Sequence, residues 1–96
     1  MLTQSLVDIC ADYGITAHEL RVASTVEATI AGKINKDDNK GTIQPVIEEF
    51  HSLLGDQGMI NAIRWATWMK QSREVNKQAL EYPELLKLRQ TDEKGA

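Results

Sequence analysis

Glu48 and His51 have the spacing of a metal-binding pair. A glutamate three residues before a histidine shares one helix face with it, as in the Glu-x-x-His pairs of di-iron helical bundles. Such a site needs two of these pairs and further carboxylates, whereas this sequence contains one pair. His18 has no second histidine or cysteine placed to help it. We therefore expect no metal site and no other cofactor.

Cys10 is the only cysteine, and it falls within an apolar helical pattern, so we interpret it as a small buried hydrophobe. A single cysteine also allows no intramolecular disulfide, which favours a reducing, cytoplasmic location. Gly32 and Lys33 lack the upstream glycine and the following Ser/Thr of a phosphate-binding loop. The sequence thus predicts no catalytic residues, and we expect that the chain is not an enzyme.

Residues 9–23 resemble a helix-turn-helix, in which a small residue, a turn glycine and flanking apolar residues hold two helices together. The residues at those places are Cys10, Gly14, Ile15 and Leu20. The face that would contact DNA comprises Ala17, His18, Arg21 and Thr25.

Charge argues against DNA binding at this motif. The two helices contain four acidic and two basic side chains, whereas DNA affinity depends on a basic surface. Residues 1–58 as a whole hold four Lys/Arg against nine Asp/Glu, and residues 59–96 hold seven against five. An ordinary helical corner is therefore the favoured interpretation, and a DNA-binding regulator is the alternative.

Apolar residues recur at helical spacing along most of the chain. They predict a first helix that ends at a left-handed Gly14, with Ile15 packing back on its last turn. A capping box formed by Thr16 and Glu19 begins a second helix, which runs out in a polar surface loop over residues 33–40.

A third helix is predicted from Ile43, with termination at residues 55–58, and a fourth from Met59 to Tyr82. The fourth helix is expected to bury an arc that includes Trp65, Trp68 and Val75, with Lys70, Arg73 and Lys77 opposite as a solvated basic strip. Pro83 should restart the chain as a short helical piece. The fold class is all-α, a compact bundle of four helices plus a short C-terminal helical piece, with residues 1–90 as one domain and residues 91–96 as a flexible tail.

One face of the second predicted helix is nearly free of long charged side chains. Small residues allow another helix to come close, so this face could join a partner or a second copy. Its residues are Arg21, Thr25, Ala28 and Gly32. The alternative is that another helix of the same chain covers it. Nearby, Glu27 lies at the margin of the apolar stripe, where a carboxylate requires a cation such as Arg64.

These observations favour a non-enzymatic helical interaction protein, an adaptor, inhibitor or assembly factor that docks on a larger macromolecule. The expected partner is a protein, and a homodimer is a second form of association. A helix-turn-helix DNA-binding regulator is the alternative, and an enzyme subunit completed by a partner is the third hypothesis. No apolar run is long enough to span a bilayer, so no membrane association is expected.

Overall fold

The described part of the chain folds into four α-helices. The computed structural model describes residues 2–34, 46–77 and 80–95, and these ranges contain no strand. In chain order the helices are α1 (Leu2–Tyr13), α2 (Ala17–Ile30), α3 (Ile47–Asn76) and α4 (Tyr82–Gly95). The all-α prediction is confirmed. The third and fourth predicted helices are the two segments of α3, which meet at a kink at Gly55, and the predicted C-terminal piece is α4. Most of the predicted loop and the predicted start at Ile43 lie outside the described residues.

The turn between α1 and α2 follows from one glycine. Gly14 has φ of 72°, a left-handed conformation that glycine adopts without steric cost. The Ile15 N–H donates to the Cys10 carbonyl at 2.9 Å and the Gly14 N–H to the Ala11 carbonyl at 3.2 Å, the two bonds of a Schellman motif. The Ile15 side chain is buried. The predicted helix end is confirmed.

The predicted capping box at the start of α2 is also confirmed. The Glu19 N–H donates to Thr16 Oγ1 at 3.0 Å, and the Thr16 N–H donates to Glu19 Oε1 at 2.9 Å. Arg73 of α3 adds a tertiary contact, with Nη1 lying 3.3 Å from Glu19 Oε2. The cap therefore fixes both the start of α2 and its position beside α3.

Thr16→Ala should lower the free energy of unfolding by about 1 kcal/mol, because an N–H at the helix start loses its acceptor. For a domain of this size that loss corresponds to a decrease of about 4 to 8 °C in melting temperature. Ser52→Ala, at an exposed helical position, is the matched control and should melt like the unmodified protein. Equal melting temperatures for all three proteins would show that the cap does not contribute.

Helix α2 lies at the centre of the fold. Residues 22–28 are all buried, so no side of the middle of this helix faces solvent. Ala23, Ser24 and Ala28 are fully buried. Because these side chains are small, α3 and α4 can both pack closely against α2.

Helix α3 is broken at Gly55. Its φ of 74° and ψ of −179° lie outside the helical region, in a conformation that essentially only glycine adopts. The helix resumes at the next residue. The sequence predicts an interruption over residues 55–58, and in the structure only Gly55 leaves the helical conformation. His51 Nε2 and Asp56 Oδ1 lie 2.7 Å apart across the break. On the first segment, Phe50 is fully buried.

The C-terminal helices differ from the prediction at their ends. Helix α3 stops at Asn76, followed by Lys77 in the left-handed conformation, so the predicted continuation to Tyr82 is wrong. Helix α4 starts at Tyr82 with Pro83 in its first turn, where the missing N–H is not needed. It extends to Gly95, into the segment for which a flexible tail is predicted, and the helix bounds do not test that prediction.

Candidate functional site

The face predicted to contact DNA is not one open surface. Ala17 and His18 are exposed, but Arg21 is half-buried and Thr25 is buried. Thr25 Oγ1 donates to the Arg21 carbonyl at 2.8 Å within the helix. The carboxylate of Glu81, just before α4, lies 3.8 Å from His18 Nε2, so the exposed end of this face carries an acidic neighbour. The prediction that Thr25 is available to DNA is wrong, because its side chain is buried.

The small-residue face of α2 is likewise used inside the chain. Thr25 and Ala28 are buried, and Gly32 is exposed just beyond the helix end. The hydroxyl groups of Tyr82 and Thr29 lie 3.3 Å apart, which brings the start of α4 against the same helix. The predicted self-association face Arg21, Thr25, Ala28 and Gly32 is therefore corrected: its centre is covered by helices of the same chain. Small residues allow close packing wherever a helix lies, and in this fold α2 is internal.

Glu27 obtains the cation that its position requires, but from another residue than predicted. Arg89 of α4 places Nε 2.6 Å from Glu27 Oε2 and Nη2 3.4 Å from Oε1, in a forked arrangement. Both side chains are largely buried, with Glu27 only 6% exposed. Arg64, the predicted partner, instead lies over the Trp65 ring with its guanidinium carbon 5.9 Å from the ring centroid. The Arg89 pair therefore fastens α4 to α2.

Two of the three residues in the predicted basic strip form ion pairs within the chain. Lys70 Nζ lies 2.7 Å from Glu74 Oε1, and this hydrogen bond, aided by the charge of Lys70, lowers the pKa of Glu74. Arg73 contacts Glu19 and also donates from Nη2 to the Gly14 carbonyl at 3.3 Å. These contacts give Lys70 and Arg73 structural roles, so they do not form an open site for phosphate.

A metal-binding cluster is not found in the part of the chain that the structure describes. No three His, Cys, Asp or Glu residues lie close enough there to bind a metal ion. His51 is paired with Asp56 rather than with Glu48. Cys10 is buried, as predicted, and burial raises the pKa of its thiol, which reduces the thiolate fraction at neutral pH.

An exposed line of residues along α3 is the feature that remains. It lies about half a helical turn from the buried positions of the same helix, at about 100° per residue. Ile60 is 56%, Trp68 is 46% and Val75 is 79% exposed, and the two residues between them are also exposed. We call this line the α3 outer stripe, and it consists of Ile60, Arg64, Trp68, Gln71 and Val75.

The predicted burial of Trp68 and Val75 is wrong, whereas that of Trp65 is confirmed. The buried side of α3 is centred on Ala62, Ala66 and Met69, and Trp65 lies at its edge. Apolar residues occur on both sides of this helix, so periodicity alone does not show which side is buried. The spacing of the α3 outer stripe was visible in the sequence, but interpreting it required knowing where the core lies.

The ring of the exposed Trp68 packs against the ring of the buried Trp65. The two ring centroids are 5.0 Å apart, with their planes tilted by 43°. Such a contact is favourable for aromatic rings, and it limits the orientations open to the exposed indole. The arrangement presents a large, preoriented apolar group to solvent.

Comparison of the chain with protein-family models, with curated proteins and with solved structures gave no match. A membrane-spanning helix is not found among the described residues, since none of their helices combines sufficient length with sufficient apolarity. The candidate site therefore depends on the geometry of the α3 outer stripe.

Proposed function

We propose that this chain is a non-enzymatic interaction protein that binds another protein through the α3 outer stripe. The observation that carries the proposal is Trp68, nearly half exposed at the centre of a line of exposed residues. Tryptophan and arginine are the residues that most often dominate the binding energy of protein interfaces. The stripe contains one of each, with Arg64 one turn before Trp68.

The stripe has the geometry of a helix-mediated contact. Ile60, Trp68 and Val75 are spaced by eight and seven residues, so they recur along the same side of the helix. At about 1.5 Å per residue the line is about 22 Å long. Scattered single apolar residues are normal on protein surfaces, but an aligned set resembles an interaction face.

Preorganisation supports the same proposal. Trp68 rests on Trp65, which is 2% exposed and held in the core. When a partner covers Trp68, this side chain loses little conformational freedom, because its ring is already oriented. The exposed indole is thus suited to act as an anchor.

A protein fits this surface better than a nucleic acid. The α3 outer stripe carries one basic residue, Arg64, and the chain has a formal net charge of −3. Phosphate binding requires several cations arranged together. The helix-turn-helix alternative is weakened further, because Thr25 is buried and Glu81 lies beside His18.

The test is a capture experiment with purified, tagged protein in native lysate, with and without nuclease. We expect specific proteins to be captured by the unmodified chain but not by Trp68→Ala, and nuclease should not change the result. Tyr13→Ala is the matched control, since Tyr13 is an exposed aromatic residue on a different helix, α1. Its captured proteins should equal those of the unmodified chain. Capture that is lost with nuclease, or that is equal for all three proteins, would contradict the proposal.

A further inference from the structure

We propose that the partner that covers the α3 outer stripe is a second copy of this chain, packed as an antiparallel helix pair. This inference rests on the proposed function, because it names the partner of the same surface. A two-fold symmetric interface uses the same patch on both copies, so the patch must be complementary to itself. The order of residues along the stripe meets that requirement.

The stripe has nearly the same pattern in both directions. Its midpoint lies between Thr67 and Trp68, and the residue types follow the order apolar, polar, tryptophan, polar, apolar. When two such helices run in opposite directions about this midpoint, Ile60 of each copy meets Val75 of the other. Arg64 then meets Gln71 of the second copy, and the two Trp68 rings lie near the axis.

Charge selects the antiparallel arrangement over the parallel one. In a parallel pair Arg64 would face Arg64 of the second copy, and like charges across an interface are unfavourable. In the antiparallel pair Arg64 lies opposite the polar Gln71 and within one turn of Glu74 of the second copy. Glu74 is exposed and anionic at neutral pH, since the hydrogen bond from Lys70 of its own chain lowers its pKa. The antiparallel arrangement therefore avoids the repulsion between the two Arg64 side chains and brings each of them closer to an anionic side chain.

A groove beside Ile60 provides space for the second copy. It lies between α1 and α3, has a volume of about 270 Å³ and is lined mainly by apolar side chains, including Leu6, Ile9 and Met59. Val75 of the second copy would enter this groove when it packs against Ile60. A single helix pair buries less surface than a standard protein interface, so we expect a weak dimer whose population depends on concentration.

The experiment is a measurement of molar mass by sedimentation equilibrium over a wide range of protein concentration. The molar mass measured for the unmodified chain should increase from the monomer value of 10.8 kDa towards twice that value as the concentration rises. Ile60→Lys should raise the dimer Kd by about tenfold or more, because it places a charge in the apolar contact. Leu88→Lys, at an exposed leucine on α4, is the matched control and should dimerise like the unmodified chain.

Cysteine cross-linking tests the direction of the helices. A mixture of Arg64→Cys and Gln71→Cys chains should form a mixed disulfide under mild oxidation, while Arg64→Cys alone should not cross-link. Cross-linking of Arg64→Cys with itself would overturn the antiparallel arrangement. A monomer at all concentrations that still captures a protein through Trp68 would overturn the dimer and leave the proposed function standing. A monomer whose captured proteins do not depend on Trp68 would overturn both.

Discussion

Replacing Trp65 by alanine should lower the free energy of unfolding by about 3 to 5 kcal/mol. The Trp65 side chain is 2% exposed; its ring contacts Trp68, and the guanidinium carbons of Arg64 and Arg89 each lie 5.9 Å from its centroid. Truncation would remove a large apolar group from the core and leave a cavity that its neighbours can only partly fill. Urea unfolding followed by circular dichroism measures the loss.

Trp68→Ala is the matched control for this prediction, since it removes the same side chain from the same helix. Because Trp68 is nearly half exposed, we expect it to cost about 1 kcal/mol or less, mainly through the lost contact with Trp65. Fluorescence provides a second readout: a soluble quencher should reach Trp68 in the folded monomer but not Trp65. Similar losses of stability in the two variants would contradict the assigned burial.

Arg89→Ala should be of comparable severity, with a loss of about 3 to 5 kcal/mol. Its removal would leave the Glu27 carboxylate of α2 buried without its forked partner, and an unpaired buried charge is strongly unfavourable. The same change would release the ion pair that fastens α4 to α2. Urea unfolding measures the stability, and the helical signal shows whether α4 remains folded.

Two controls separate the buried charge from other effects of changing α4. Lys87→Ala removes an exposed cation from the same helix and should change stability by about 0.5 kcal/mol or less. The double variant Glu27→Leu with Arg89→Met replaces the pair by apolar groups and should recover most of the lost stability, because no unpaired charge remains. A double variant as unstable as Arg89→Ala would show that packing, not charge, accounts for the loss.

Local signals in the sequence predicted local structure well. The end of α1 at Gly14 and the capping box of Thr16 and Glu19 depend on residues within one turn of each other, and both are confirmed. These features need no knowledge of the rest of the fold, since the backbone groups that they satisfy are close in sequence. The helical class follows from the same kind of evidence.

Contacts between distant residues could not be predicted in this way. The need of Glu27 for a cation was evident, but several arginines were available, and Arg89 was identified only once α4 lay against α2. The buried Thr25 and Ala28 show the same difficulty, because small residues indicate close packing without naming the helix that packs. Trp68 was misassigned for a related reason, since α3 has apolar residues on two opposite sides.

The break at Gly55 changes the rotational phase of α3. In an uninterrupted helix at about 100° per residue, Phe50 and Trp68 would project from the same side, because eighteen residues make about five complete turns. Phe50 is nevertheless fully buried while Trp68 is exposed, since the backbone leaves the helical conformation between them. Because of this one glycine, residues at the same helical angle face the interior before the break and the solvent after it.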